Sequence, residues 1–190
     1  MEGDSMLQIV ILVFLIGCSA FFSASETALT SLSRIRLRTM LEEKVPQAEV
    51  INRLLSDPNR LLSSILVGNN LVNISASSLA TTLAISFFEG DSGSGVGFAT
   101  AIMTVLILIF GEITPKTIAA QKAEKVAIFV ARIISFIIWL FTPIVYILGI
   151  VTGILTKLFG CNPDQHAPLI TEAELRTIVD VSHEEGVLEK

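Results

Sequence analysis

The sequence contains 190 residues, of which 52% are hydrophobic and 16% are charged, and its mean hydropathy is +0.71. Because this charge content is low for a soluble domain, the composition indicates a membrane protein. The net charge of -5 comes largely from the residues after Thr171, and the sequence has no basic patch with interleaved aromatic residues. A nucleic-acid partner is therefore not expected.

The first apolar run, MLQIVILVFLIGCSAFFSASETALTSLS, begins at Met6 and is long enough to cross a hydrocarbon core of about 30 Å. Its N-terminal flank is acidic, whereas a signal peptide has a basic start, so we interpret the run as a membrane span. A polar, helix-prone segment follows over 34–60, with breaks at Pro46 and Pro58. The positive-inside rule predicts that this segment is cytoplasmic, since it carries Arg34, Arg36, Arg38, Lys44, Arg53 and Arg60.

A second span is predicted from Leu61 to Phe88. The loop after it, EGDSGSGVG (89–97), has acidic residues but no Lys or Arg, so it is predicted to face outside. A third span begins near Phe98 and leads into GEITPKTIA (111–119), after which lysines again mark the cytoplasm. The N-terminus is therefore predicted to lie outside.

The run 127–160 has two interpretations, because it is long enough for a fourth crossing or a hairpin. Arg132 near its start and Pro143 near its middle favour instead two helices along the cytoplasmic interface, with Trp139 among the anchoring residues. Beyond this run, the sequence predicts a soluble amphipathic helix that begins at Thr171 as its N-cap.

Polar side chains inside the predicted spans are the candidates for a functional site, because ionisable and amide groups are costly in a membrane. Small residues also favour close helix packing, so packing and function are alternatives for each serine of the first span. Three amides within five residues of the second span favour a ligand site over packing. The first span carries Ser19, Ser23, Glu26 and Thr30 on one stripe, and the second carries Asn69, Asn70 and Asn73.

The motif GEITP interrupts the third apolar run. Proline has no N–H, so Pro115 is predicted to leave the carbonyl of Gly111 without its helical donor, beside the carboxylate of Glu112. We interpret the motif as a broken helix that lines a polar cavity, as in transporters that hold a cation near the membrane midplane. These oxygens, together with the three amides and the hydroxyl of Ser23, suit a hard cation such as Mg²⁺, Na⁺ or Ca²⁺. The alternative is a simple kink, with Glu112 paired to Lys116.

Four motifs make the sequence resemble the CorC/cyclin-M magnesium transporters in their transmembrane DUF21 domain. The resemblance implies an all-α integral membrane protein, a homodimer with three transmembrane helices per protomer, the third broken at GEITP, and a belt of cytoplasmic juxtamembrane helices. It implies no fourth crossing in 127–160. The motifs are FFSASETALTSLSRIRL (21–37), LVGNNLVN (66–73), GEITPKTIA (111–119) and LITEAELRTIVDVSHEEGVLE (169–189).

The resemblance also implies a division of the chain. Residues 1–160 correspond to the transmembrane domain with its juxtamembrane helices. Residues 161–190 correspond to the start of an acidic helical linker that leads to CBS domains, which bind ATP in the family and lie outside this sequence. The expected location is the plasma membrane, with several crossings, the N-terminus outside and the C-terminus cytoplasmic.

The activity implied by the resemblance is Mg²⁺ export coupled to inward movement of Na⁺, with a dehydrated Mg²⁺ held among the three helices. An enzymatic activity is not expected, and a hydrolase built on a serine and a carboxylate is disfavoured because no His or Lys base lies near a nucleophile in any predicted span. The alternative is a membrane anchor or dimerisation module for a regulatory domain. The site positions implied are Ser23, Asn69 or Asn70, Asn73, Gly111 and Glu112, with Pro115 exposing the Gly111 carbonyl.

Overall fold

The computed structural model describes residues 2–87 and 94–158, and these ranges are helical with no strand. The loop predicted to face outside lies partly, and the predicted helix from Thr171 wholly, outside the described residues. The helices are α1 (Glu2–Ser31), α2 (Arg34–Glu42), α3 (Ala48–Leu55), α4 (Pro58–Phe87), α5 (Ser94–Ile107), a π-helical segment (Leu108–Ile113), α6 (Thr114–Gln121) and α7 (Ala123–Leu158).

Three helical stretches of the described residues are long and apolar enough to cross a membrane: Ser5–Ser31, Val96–Gln121 and Ala123–Leu158. The first and second of these agree with the first and third predicted spans. The predicted second span forms α4, a helix of 30 residues, but its amides and hydroxyls keep it out of this apolar set. The chain is therefore a helical protein with several apolar helices, of which α4 is the most polar long one.

The structure corrects two of the interpretations of the run 127–160. The described part of this run belongs to one helix, α7, which has 36 residues and contains Pro143, so it is neither a hairpin nor two helices. A single fourth crossing, for which α7 is long and apolar enough, stays a prediction. The chain divides into two compact units, Met1–Val145 and Tyr146–Lys190, and the polar motifs lie in the first. The expected domain boundary at residue 160 stays a prediction.

α1 lies at the centre of the first unit, in contact with α4, with the π-helical segment and with α6. It runs antiparallel to α4, since Ser19 contacts Asn73 whereas Phe22, later in α1, lies over Gly68, earlier in α4. It runs parallel to the second stretch, Val96–Gln121, since Ser19 contacts Gly111 and Glu26, two turns later, contacts Lys116. One helix therefore presents its polar stripe to both neighbours.

Two glycines allow the neighbours to approach α1 closely. A Cβ atom added at Gly68 would lie 2.5 Å from Cζ of Phe22, and one added at Gly111 would lie 3.0 Å from Oγ of Ser19. Real side chains do not tolerate the first of these distances, and the second is tight. The absence of a side chain thus lets the ring of Phe22 pack against the α4 backbone at Gly68 and brings the carbonyl of Gly111 within hydrogen-bonding range of Ser19.

The Arg-rich segment, which contains α2 and α3, packs against α7. α7 buries a stripe at helical spacing, including Ala127, Ile134 and Ile138, in the same apolar cluster as residues of α2 and α3. Arg36 adds a two-pronged ion pair to Glu124, with Nε 2.8 Å from Oε2 and Nη2 3.0 Å from Oε1. This hydrogen-bonded carboxylate raises the pKa of Arg36, so the guanidinium stays charged.

Candidate functional site

A buried hydroxyl connects the three polar motifs. Oγ of Ser19 lies 2.6 Å from Oδ1 of Asn73 and 3.2 Å from the carbonyl oxygen of Gly111, and the serine is fully buried. A hydroxyl has one proton, so it donates to one of these acceptors at a time. Three oxygens from α1, α4 and the π-helical segment therefore meet at one point.

Two buried oxygens one helix turn away have no hydrogen-bond partner among the described residues. They are Oγ of Ser23 and Oδ1 of Asn69. Ser23 follows Ser19 by one turn of α1, and Asn69 precedes Asn73 by one turn of α4. Because the two helices are antiparallel, both steps lead from the Ser19–Asn73 contact in the same direction. A buried acceptor without a partner costs about 1–3 kcal/mol, so these two oxygens are the candidate ligand atoms of the site.

The structure distinguishes the adjacent amides that the sequence left open. Asn69 and Asn73 are both partly buried on the α1 side of α4, whereas Asn70 is exposed on the described chain. The carbonyl of Gly111 is buried. The uncharged layer, as we call it, thus consists of the side-chain oxygens of Ser19, Ser23, Asn69 and Asn73 and the carbonyl oxygen of Gly111.

The third predicted span, formed by α5, the π-helical segment and α6, changes its helical type where a break was expected. A π-helical segment carries Gly111 and Glu112, and α6 follows directly with Pro115 in its first turn. α6 continues the π-helical segment with helical backbone angles at Ile113 and Thr114, so Pro115 leaves the preceding turn short of one backbone donor. The Gly111 carbonyl accepts from Ser19 instead. A wider π turn, of the kind often found at functional sites, thus presents this carbonyl to α1.

Glu112 lies in a second cluster, with charged partners. Nζ of Lys116 is 3.2 Å from Oε1 of Glu112 and 3.5 Å from Oε2 of Glu26. The pairing of Glu112 with Lys116, which the sequence offered only as an alternative, is therefore present. All three side chains are about one-third exposed. We call Glu26, Glu112 and Lys116 the charged layer; its formal net charge is -1.

Three members of these layers were absent from the predicted site: Ser19, Glu26 and Lys116. Ser19 and Glu26 belong to the polar stripe of α1, so their spacing with Ser23 was a usable signal, but packing explained the stripe equally well. What distinguishes them is contact across the bundle with residues 54 to 92 positions away in the sequence. In the charged layer, the carboxylate of Glu112 is already paired with Lys116.

A polar strip on the surface of α4 begins at Asn73. It carries hydroxyls on successive turns, including Ser77, Ser78, Thr81 and Thr82. The threonine hydroxyls donate to backbone carbonyls one turn earlier, at 2.9 and 3.0 Å, so their lone pairs remain free to accept. The strip therefore extends the oxygen-rich surface along α4 toward its C-terminal end.

The donor set determines which metals suit the uncharged layer. The described residues contain no group of three or more His, Cys, Asp and Glu side chains that could hold a metal ion. The layer offers hydroxyl, amide and carbonyl oxygens, which are ligands for hard cations and poor ligands for Zn²⁺ or copper. Its chemistry is that of a neutral oxygen shell beside a cluster with one excess negative charge.

Comparison with known proteins places this arrangement in a family. The model of the cyclin M transmembrane N-terminal domain matches residues 10–190. A UPF0053 protein of Haemophilus influenzae is 42% identical over 175 residues, which cover 92% of this chain and 41% of the relative. The inner membrane protein YfjD of Escherichia coli is 41% identical over 165 residues, covering 86% of this chain and 38% of the relative.

Related proteins also occur in chloroplasts. A chloroplastic DUF21 domain-containing protein of Arabidopsis thaliana is 37% identical over 183 residues, which cover 96% of this chain and 27% of the relative. The chain thus spans less than half the length of these relatives. Because the family model matches residues 10–190, the chain belongs to the cyclin M (DUF21/UPF0053) transmembrane domain family.

Proposed function

We propose that this chain is the ion-translocating part of a magnesium transporter and that Mg²⁺, its substrate, binds without most of its water in the uncharged layer. The proposal rests on one observation above all: Oγ of Ser23 and Oδ1 of Asn69 are buried and have no partner within the described helices. A cation between these oxygens and the Ser19–Asn73–Gly111 contact would satisfy both at once.

The kinds of oxygen in the uncharged layer support a hard cation. Mg²⁺ takes oxygen ligands in near-octahedral geometry at about 2.0–2.1 Å, and Ca²⁺ takes the same kinds of oxygen at about 2.3–2.6 Å. Oγ of Ser19 lies within hydrogen-bonding distance of its two acceptors, at 2.6 and 3.2 Å, and these distances do not distinguish the two cations. The choice of Mg²⁺ therefore rests on the family resemblance.

The charged layer supplies the negative charge that neutral ligands lack. Five uncharged oxygens do not offset the desolvation of a dication, whereas the net charge of -1 beside them lowers that cost. Lys116 keeps this charge small, which favours release over storage. A carrier has to release its ion, so a weakly charged site suits transport.

We further propose the membrane arrangement that the family resemblance implies. α1, α4 and the α5–α6 stretch cross the plasma membrane, with the N-terminus outside and the Arg-rich segment in the cytoplasm. α7 shares its buried stripe with α2 and α3, which are too short to span, and this favours an interfacial position for its first half. Two copies form a homodimer, Mg²⁺ leaves the cell as Na⁺ moves in, and ATP acts only through CBS domains outside this sequence.

The two neighbouring amides provide the test. Asn73→Ala removes an oxygen from the uncharged layer, whereas Asn70→Ala removes an exposed amide from the same helix turn. Asn73→Ala should lower Mg²⁺ affinity at least about tenfold, because a ligand to a charged group is worth about 1.5–3 kcal/mol, and Asn70→Ala should leave it unchanged. The measurements are the Mg²⁺-dependent shift in melting temperature of the purified chain and Mg²⁺ flux into liposomes.

Equal behaviour of the two variants would contradict the site. If wild-type protein shows no Mg²⁺-dependent shift and no flux, the anchor or dimerisation role takes the place of transport. If Ca²⁺ produces the larger shift, the ion assignment is wrong while the site itself stands.

A further inference from the structure

A second cleft lies away from the cation site, between the turn before α4 and the middle of α7. Its volume is about 320 Å³. Its floor is apolar and buried, formed by Leu54, Leu61 and Ile138. Its rim is made by the polar residues Arg53, Asp57, Arg60 and Ser135, with Trp139 as an aromatic wall.

The rim has an excess of one positive charge. The rim carries two guanidinium groups and one carboxylate, and that carboxylate is already engaged, since Oδ1 of Asp57 accepts the backbone N–H of Arg60 at 3.1 Å as a helix cap. The guanidinium of Arg60 is held in place by a 2.7 Å hydrogen bond from Nη2 to Oγ1 of Thr142. A preset arginine beside a second one suits a phosphate group, which accepts several hydrogen bonds from such a fork.

The aromatic wall indicates where this phosphate comes from. Trp139 is the only tryptophan of the chain and is 68% exposed, with the ring of Phe136 at a centroid distance of 5.9 Å. In a protein with helices apolar enough to cross a membrane, exposed tryptophan beside arginine is typical of the headgroup level of the bilayer. An apolar floor suits the glycerol and first acyl carbons of a lipid, whereas a free phosphate ion gains nothing from it.

We propose that this cleft binds the headgroup phosphate of an anionic phospholipid, with Arg53 and Arg60 as the phosphate ligands and Trp139 against the glycerol region. The site is independent of the cation site and of whether the chain transports magnesium. It would anchor the α3–α4 turn and α7 to the membrane surface.

The single tryptophan makes the test direct, because the intrinsic fluorescence of the full chain reports from the wall of the cleft. The chain is reconstituted in phosphatidylcholine vesicles, and increasing fractions of brominated phosphatidylglycerol or brominated phosphatidylcholine quench Trp139. At equal low mole fraction, the brominated phosphatidylglycerol should quench more strongly. The difference in half-quenching fraction should be at least about fivefold, the effect of one basic residue at a membrane surface.

Three variants assign this preference to the cleft. Arg53→Gln and Arg60→Gln should each lower the preference for phosphatidylglycerol about fivefold. Asp57→Asn should raise it by a similar factor, because it removes the negative charge and retains a good helix cap. Arg38→Gln is the matched control, since this exposed arginine lies outside the cleft and pairs with Glu42, and it should change nothing.

Four results would overturn the proposal. Equal quenching by the two brominated lipids would mean that the cleft does not select charge. An equal effect of Arg38→Gln would mean that general surface charge, and not the cleft, attracts the lipid. Weaker preference in Asp57→Asn, a variant that keeps the cap, would contradict the charge argument. Displacement of the brominated lipid by millimolar inorganic phosphate would identify a site for free phosphate instead.

Discussion

The uncharged and charged layers lie close together around α1, yet their polar groups are satisfied in opposite ways. In the charged layer, Lys116 pairs with both Glu26 and Glu112. In the uncharged layer, the hydroxyl of Ser19 serves two acceptors, and the buried oxygens of Ser23 and Asn69 have no partner in residues 2–87 and 94–158. Every charged group of the charged layer has a partner within the protein, whereas two of the neutral oxygens have none among the described residues.

This difference assigns different physical roles to the two layers. Neutral oxygens held by three packed elements determine the size of the site, so they act through geometry. The carboxylates act at a distance through their charge, and the lysine neutralises one of their two negative charges. The largest effects of mutation are therefore expected where oxygens lack partners, and smaller effects where a single charge of the charged layer is removed.

Removing both partnerless oxygens should have the largest effect. Ser23→Ala combined with Asn69→Leu deletes the two unsatisfied acceptors and places an apolar side chain at each position. The metal-free protein should gain about 1–3 kcal/mol in unfolding free energy per acceptor, while Mg²⁺ affinity falls at least about a hundredfold. Chemical unfolding without Mg²⁺ and the Mg²⁺-dependent melting shift measure these opposite changes.

Ser25→Ala is the control for the double variant. Ser25 is also fully buried on α1, but its hydroxyl donates to the Phe21 carbonyl at 2.6 Å. Its loss should lower stability by about 1 kcal/mol and leave Mg²⁺ affinity unchanged. The comparison of the layers fails if the double variant is less stable than wild type and still shows the full magnesium shift.

Removing one carboxylate should have an intermediate effect that depends on the charge of the ion. Glu112→Gln keeps the side-chain volume, leaves Lys116 paired with Glu26, and changes the net charge of the charged layer from -1 to 0. Mg²⁺ affinity should fall roughly tenfold, and the affinity of a monovalent cation such as Na⁺ roughly threefold, because the Coulomb energy scales with ion charge. Competition titrations of the purified protein measure both.

If Glu112→Gln lowers the affinities for Mg²⁺ and Na⁺ by the same factor, the electrostatic explanation is wrong. Such a result would indicate that Glu112 contributes a ligand oxygen or a packing contact in place of a distant charge. Glu42→Gln is a suitable control, since Glu42 forms an exposed ion pair with Arg38 outside both layers.

Removing the lysine should have the smallest effect and the opposite sign. Lys116→Gln frees Glu26 and Glu112 and raises the negative charge of the layer to -2, so Mg²⁺ should bind a few-fold more tightly. Release should slow, so flux at saturating Mg²⁺ should fall despite the higher affinity. Melting shifts give the affinity and liposome assays give the flux. Weaker binding together with unchanged flux would mean that Lys116 only ties α6 to α1.

Most of the local structure was accessible from the sequence. The runs around α1, α4 and α5 were predicted as helices because apolar runs of this length have few other states in a membrane, and proline and charge separated the short α2 and α3. Pro143 was misleading, since α7 continues through it. Whether a helix continues through a proline depends on its tertiary contacts, which a local sequence pattern does not show.

The site was predictable as a list of residue types and not as a set of contacts. The costly placement of amides and of Glu112 inside apolar runs was enough to identify the three motifs in the sequence. Which oxygen faces which was not accessible, since it depends on the antiparallel register of α1 and α4 and on the rotation of each helix. That register partly buries Asn69 and Asn73 and exposes Asn70.

The sequence by itself determined that polar oxygens lie within apolar helices, because composition and spacing are local properties of the chain. Only the tertiary structure decided that Ser19 joins Asn73 to Gly111, that Ser23 and Asn69 remain without partners in the described helices, and that Glu112 turns to Lys116. The π-helical segment and the two glycines set these contacts, since they control how closely the backbones approach α1. Hydrogen bonds between residues 54 and 92 positions apart depend on that approach and leave no local pattern.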